Sequence, residues 1–147
     1  MSNLEAFLTM IAVSEGTNHL GDRGYNVIVG GKLFKDYSDH PRVKVRINAQ
    51  LSSTAAGRYQ ILQRYFDHYK RTLRLPDFSP DSQDKIAVQL IKECRALEDV
   101  TAGRFSKAVD KCKSRWASLP GAGYGQHENS LDKLQAAYIK AGGILEA

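Results

Sequence analysis

The sequence predicts an α+β domain, mainly helical, with a small antiparallel sheet near its front. Apolar residues recur at helical spacing at the amino-terminal end and again over most of the chain beyond residue 54. Between these stretches lie two β-rich runs joined by Gly30-Gly31, and a third run in which apolar and polar residues alternate. No internal repeat or low-complexity tail interrupts the 147 residues. That length buries one core without disulfide or metal staples, so a single domain spanning residues 1–147 is expected.

The first helix is expected over residues 4–14, capped by Ser2 or Asn3, because Leu4, Leu8 and Ile11 fall on one face. Residues 25–29 and 32–37 read as the two strands of a hairpin. Gly30 and Gly31 supply the positive φ angles that tight turns between antiparallel strands require. Residues 43–47 (Val-Lys-Val-Arg-Ile) add a third strand by their alternation. A helix is expected over residues 55–69, with Tyr59, Leu62, Phe66 and Tyr69 on one face. Ser79 then caps a helix opening at Pro80, where a missing N–H costs nothing. That helix runs to residue 96 with Ala87, Leu90, Ile91 and Cys94 inward. Phe105, Ala108, Val109, Cys112 and Trp116 form the next stripe. Leu131, Leu134, Tyr138 and Ala141 form the last, stopped by Gly142-Gly143.

Lys and Arg outnumber Asp and Glu by 21 to 16, a balance that suits a partner with negative charge such as nucleic acid or the bacterial cell wall. The basic stretch Arg64, Lys70, Arg71 and Arg74 reads first as a solvated face. Apolar runs are too short and too interrupted to span a membrane. The amino-terminal residues lack the pattern of a secretory signal, so the chain is expected in a cytoplasm unless another factor exports or releases it. Cys94 and Cys112 read as buried free thiols in a reducing compartment, with a disulfide as the alternative. His19, His40, His68 and His127 show no metal-ligand spacing and read as surface or loop residues, and Gly30-Gly31 lacks the companions of a phosphate-binding loop.

Glu15 stands apart. It continues the spacing of Leu4, Leu8 and Ile11, which turns a carboxylate toward an apolar face, and Gly16 follows at once. Desolvation favours the protonated acid, and a carboxylic acid protonated near neutral pH is what glycosidic bond cleavage needs to release its leaving-group oxygen. A helix end that turns into water is the alternative reading of the same residue.

Three segments are not obviously required by local structure: Ser14-Glu15-Gly16-Thr17, Ser53-Thr54-Ala55-Ala56-Gly57-Arg58-Tyr59-Gln60, and Leu119-Pro120-Gly121-Ala122-Gly123-Tyr124-Gly125-Gln126. The run from Gly24-Tyr25 to Gly30-Gly31 and Asp36-Tyr37-Ser38-Asp39-His40-Pro41-Arg42 join them to make five ordered motifs. In this order they closely resemble the lambda-phage endolysin family over almost the whole chain. The resemblance implies a lysozyme-like fold whose small sheet flanks the active-site cleft. It also implies cleavage of the β-1,4 bond between N-acetylmuramic acid and N-acetylglucosamine of peptidoglycan. The implied reaction is lytic transglycosylation, in which the muramic acid's own 6-hydroxyl attacks and leaves a 1,6-anhydro end. Glu15 matches the family's catalytic acid.

By the same resemblance Gln60 belongs to a Gly-x-x-Gln element that orients sugar amides, although a polar residue on a helix surface fits equally. Tyr124 is expected against a sugar face, with a packing tyrosine as the alternative. Tyr37, Ser38 and Asp39 are expected in the sheet-side wall, where hairpin structure alone competes. No cofactor or metal is expected. The expected partners are peptidoglycan glycan strands and, for release from the host cytoplasm to the periplasm and cell wall, a membrane-permeabilising holin. A monomer without stable membrane association or nucleic acid is the expected state. A hydrolytic phage lysozyme would carry an Asp nine residues after its catalytic Glu and a Thr five or six further on, but Gly24 and Gly30 stand there. Asp22, Asp36 and Asp39 remain as bases for a hydrolytic muramidase. A non-catalytic binder of cell wall or nucleic acid is a weaker alternative.

Overall fold

A computed structural model of the chain describes residues 2–124 and 127–147. Among them are six α-helices and one two-stranded sheet, in the order α1 (Asn3–Ser14), β1 (Val45–Arg46), β2 (Ser52–Ser53), α2 (Gln63–Thr72), α3 (Pro80–Glu93), α4 (Leu97–Ala102), α5 (Phe105–Cys112) and α6 (Leu131–Lys140). The chain divides into two compact units. One comprises the residues up to Gly16 together with Ala87–Ala147; the other comprises Thr17–Ile86.

In the first unit α1 packs on α6 and α4, and α5 packs on α4 and α6. The α1 helix starts as expected at Ser2, whose hydroxyl accepts the Glu5 N–H, and it buries Ala6, Phe7, Leu8, Met10, Ile11 and Ala12. Phe105 links the helices, with its ring edge-on to Phe7 at 6.1 Å and 4.7 Å from Tyr138. The stripe Phe105, Ala108, Val109, Cys112 and Trp116 is buried throughout. Gly143 lets the chain fold back over Tyr138, since a Cβ there would sit 2.4 Å from the ring. Asp99 is the buried charge of this unit. Arg104 and Lys111 pair with its two oxygens at 2.7 and 2.6 Å and hold its carboxyl below the usual range. The α4 helix was not foreseen: six residues ended by Gly103 at φ 81° are too short to give a periodic signal, and the preceding helix stops at Glu93 instead of 96.

The second unit is mostly irregular. Gly30 and Gly31 do form a tight turn, at φ 93° and 107°, but the flanking runs meet only at the bridge Val27–Leu33 and do not extend into strands. The other edge of this segment is taken by a later one: Ile28 bridges Ala56, and the Val29 N–H donates to the Ala55 carbonyl. Residues 43–47 contribute β1, which pairs antiparallel with β2 in the register Val45–Ser53 and Arg46–Ser52. The helix expected over residues 55–69 begins only at Gln63. Gly57 at φ 84° and Gln60 at φ 53° turn the chain so that Ala56 and Ile61 pair across a loop. Thr54 Oγ1 then accepts the Gln63 N–H that Leu62 cannot cap.

His40 is likewise not a surface residue. It is buried against Phe66 and Phe78 at 5.8 and 4.9 Å. Its Nδ1 accepts the Arg42 N–H, so Nε2 carries the proton and donates to the Ile61 carbonyl; burial lowers its pKa and keeps it neutral.

Gln83, fully buried on α3, ties these loops together. Its Oε1 accepts the Arg58 N–H at 3.0 Å, and its Nε2 donates to the carbonyls of Tyr25 at 3.0 Å and Phe78 at 2.9 Å. A Gln83→Leu substitution keeps the volume and strips all three loop segments of their partner. It is expected to cost about 2–4 kcal/mol of stability, read as a fall in the urea unfolding midpoint. A midpoint within error of the parent would show that these bonds do not hold the loops.

Candidate active site

Glu15 occupies the C-cap of α1. Its N–H donates to the Ile11 carbonyl at 2.8 Å, and Gly16 at φ 78° turns the chain out of the helix. The side chain thus stays with the buried end of α1. Solvent reaches part of the residue, yet the carboxyl itself is crowded by protein, and burial raises its pKa from 4.5 to about 7. The Ser118 hydroxyl donates to Oε2 at 2.6 Å and opposes this shift by stabilising the carboxylate. Burial is the larger effect. The negative end of the α1 dipole acts in the same direction as burial.

Ser118 is itself held. With its one proton committed to the Glu15 carboxylate, it accepts the Ser14 hydroxyl proton at 2.7 Å. Asn129 Nδ2 donates to Ser14 Oγ at 3.2 Å and to the Ser14 carbonyl at 2.9 Å, while its own Oδ1 accepts from Lys133 Nζ at 3.0 Å. The Asn129 N–H closes the assembly by donating to the Ser118 carbonyl at 2.8 Å. Each donor in the series Lys133, Asn129, Ser14, Ser118 points toward Glu15. Sequence reasoning gave Ser14 no role of its own, although it stands in the Ser14-Glu15-Gly16-Thr17 motif, and missed Ser118, Asn129 and Lys133. Serine and asparagine carry no periodic signal, and Ser118 lies directly before the Leu119-Pro120-Gly121 motif without belonging to it.

Tyr124 lies in the same unit, exposed, with its hydroxyl donating to the Ser114 carbonyl at 3.1 Å. The loop before it is shaped by Glu128, whose two oxygens accept the N–H groups of Gly121 and Gly123 at 2.9 and 3.0 Å. These two bonds hold the Glu128 carboxyl below its usual range. Gly125 and Gln126 of this motif lie outside the described residues.

Gln60, Tyr37, Ser38 and Asp39 belong to the second unit. Gln60 does not open a helix; it occupies the left-handed turn after Gly57, with Nε2 donating to the Gly57 carbonyl at 2.9 Å and the Val27 carbonyl at 3.3 Å. Tyr37 donates to Asp22 Oδ2 at 2.8 Å, and burial with the Asp22 charge raises its pKa. The Ser38 N–H donates to Asp36 Oδ1 in a tight Asp-led turn. Asp39 is clamped by Arg42, which also grips Asp67 at 2.6 Å, and the guanidinium keeps the Asp39 carboxyl low. A groove lined by Phe34, Lys35, Asp36, Asp39, His40 and Val43 borders these residues. Among the described residues no group of three or more His, Cys, Asp or Glu side chains is arranged to hold a metal ion, and no helix is long and apolar enough to cross a membrane.

The Endolysin family model matches residues 5–145. The endolysin of Escherichia phage lambda is 54% identical over 145 residues, covering 96% of this chain and 92% of that protein. The endolysin of Escherichia phage P2 is 52% identical, covering 97% and 94%. The chain belongs to the endolysin family. Among solved structures, bacteriophage lambda lysozyme complexed with a chitohexasaccharide matches with a TM-score of 0.96 at 52% identity, over 99% of this chain and 98% of that one. A second structure of bacteriophage lambda lysozyme matches with a TM-score of 0.91 at 51% identity over the same shares. The fold of this endolysin-family chain is therefore lysozyme-like, mainly helical with a small antiparallel sheet.

The raised pKa of Glu15 has a consequence for stability that does not depend on activity. Between pH 4.5 and about 7 the folded chain keeps a proton on Glu15 that the unfolded chain releases, so stability falls as pH rises through that window and levels off above it. Glu15→Gln removes this loss. Above pH 7 the variant is expected to exceed the parent by roughly 2–3 kcal/mol after allowance for residual solvent access, measured by denaturant unfolding from pH 4 to 8. Equal pH slopes for the two proteins would mean that Glu15 ionises as freely as in water.

Proposed function

We propose that this chain cleaves the β-1,4 bond between N-acetylmuramic acid and N-acetylglucosamine in peptidoglycan as a lytic transglycosylase, with Glu15 as both acid and base. The observation that carries the reading is a buried carboxyl whose pKa lies near 7 and which accepts a hydrogen bond from the Ser118 hydroxyl. In the first step protonated Glu15 gives its proton to the glycosidic oxygen as the bond to the anomeric carbon breaks. In the second the muramic acid 6-hydroxyl bonds to that carbon and its proton passes to the Glu15 carboxylate. The nucleophile belongs to the bound substrate, so no second carboxylate is needed to activate water.

The aspartates available to a hydrolytic route support this choice. Asp36 and Asp39 are held low in pKa by the Ser38 N–H and by Arg42 respectively, which makes them weak bases, and Asp22 already accepts the Tyr37 hydroxyl. Gln60, Tyr124, Tyr37, Ser38 and Asp39 are proposed to contact the glycan. Lambda lysozyme was solved with a chitohexasaccharide, and a glycan strand is the corresponding ligand proposed here. In this reading residues 1–147 act as one catalytic domain and as a monomer. The protein waits in the host cytoplasm until a holin opens the membrane and then reaches the cell wall, with neither a cofactor nor nucleic acid taking part.

Mass spectrometry of muropeptides released from purified peptidoglycan tests the chemistry. Products ending in 1,6-anhydromuramic acid are expected, whereas reducing muramic acid ends would replace the reading with a hydrolytic muramidase. Glu15→Gln is expected to lower turnover by at least about 10²-fold while leaving glycan binding intact. Unchanged lysis by a folded Glu15→Gln protein would remove Glu15 from the mechanism. Ser118→Ala withdraws the hydrogen bond that lowers the Glu15 pKa, so the alkaline limb of the rate profile is expected to move up by about one pH unit. An unmoved limb would show that Glu15 does not govern it.

A further inference from the structure

Cys94 and Cys112 play no part in the site built around Glu15, yet the fold brings them together. Cys94 is the first residue beyond α3, half-exposed, and Cys112 is the last residue of α5, fully buried. Each thiol is the largest influence on the ionisation of the other, as expected of neighbouring side chains. Contacts on either side of the pair fix this approach. Lys111 Nζ donates to the Arg95 carbonyl at 3.2 Å, and Arg115 pairs with Glu93 at 2.9 Å, so both neighbours of Cys94 are tied to residues beside Cys112. Both cysteines stand at helix ends, where small backbone adjustments are least costly.

We propose that Cys94 and Cys112 form a redox-active dithiol in which Cys94 is the entry thiol for a small-molecule disulfide and Cys112 closes an intramolecular bridge. Cys94 alone is accessible to such a reagent. The Cys112 thiol, then Ser114 and the Arg115 charge, stabilise its thiolate and lower its pKa, whereas the bond to Cys94 and burial raise that of Cys112. The Cys94 thiolate attacks one sulfur of the reagent, the reagent's S–S bond breaks, and one thiolate leaves. Cys112 gives up its proton and its sulfur attacks Cys94 Sγ, expelling the second thiolate. Two protein thiols are oxidised and one external disulfide is reduced to two thiols. A chain passing from a reducing to an oxidising compartment meets these conditions, and the bridge then fastens the end of α3 to the end of α5.

The test exposes the full, reduced, native chain to oxidised glutathione under anaerobic conditions and follows intact mass and non-reducing peptide maps. The expected result is loss of both free thiols, a Cys94–Cys112 linked peptide, no retained glutathione, and a raised unfolding midpoint that reverts on reduction. Cys112→Ser is expected to hold one glutathionyl group at Cys94. Cys94→Ser is expected to stay unmodified until unfolded. A parent protein that stays reduced, keeps a stable glutathionyl group, or links through Cys94 into dimers would overturn the proposal, and this parent experiment decides even if a serine variant fails to fold.

Discussion

A carboxyl group buried at the end of a helix is the constraint on which the first unit depends. Water would hold Glu15 ionised, and the protein replaces that water with the Ser118 hydroxyl and a wall of packed side chains. That hydrogen bond does not repay the loss of a hydration shell, so the neutral acid persists to about pH 7. The arrangement is costly to the fold, and the surrounding structure sustains it. Helix α1 is buried along most of its length, and Asn129, immediately before the Ser130 cap of α6, bonds both Ser14 and the chain at Ser118. The acid is thus fastened by the end of α1 and by a segment, Ser118 to Asn129, that begins 103 residues further along the chain.

The second unit solves a different problem, that of ordering long irregular segments without a large sheet. Its answer is buried polar groups used as multiple ties. Gln83 joins three loop segments, Asp84 accepts hydroxyl protons from both Tyr25 and Tyr59, and Arg42 spans Asp39 and Asp67. Around them Phe34, Phe66, Phe78 and His40 form an aromatic cluster. The turn that carries Tyr37, Ser38 and Asp39 is therefore braced at both sides: the Phe78 N–H donates to the Tyr37 carbonyl, and Arg42 holds Asp39. Backbone polar groups in such loops must be satisfied one at a time, which is why side-chain amides and carboxylates take the place of ladder bonds.

Helical periodicity made α1, α5 and α6 legible, because each buries one stripe over two or more turns, and α1 and α6 also have a recognisable cap or stop. It misled over residues 55–62. Tyr59 and Ile61 are buried there as firmly as helical residues, but their burial comes from a loop that bridges Ala56, and only Phe66 and Tyr69 of the expected face are on the inner side of a helix. The glycine pair at 30 and 31 announced a turn correctly, while the strand propensity beside it was outweighed by pairing to Ala55 and Ala56. Glu15 was visible because a charge on an apolar stripe is an anomaly. Ser118 and Asn129 were not, because nothing in a serine's neighbourhood reveals a partner 103 residues away.

A single residue that must first give and then take a proton works best when neither form is strongly preferred. A carboxyl at pKa 4.5 would reach the substrate almost wholly ionised at neutral pH, and one buried without any donor would hold its proton too firmly to act as a base. Burial and the Ser118 hydroxyl pull Glu15 in opposite directions, and their balance leaves it near 7. The serine is therefore more than a support. Because Ser118 receives its own hydrogen bond from Ser14, and Ser14 from Asn129, the strength with which it stabilises the carboxylate is set by donors that never meet the carboxyl themselves. In the proposed single-acid reaction, that indirect control would stand in for the division of roles that a second acid would provide.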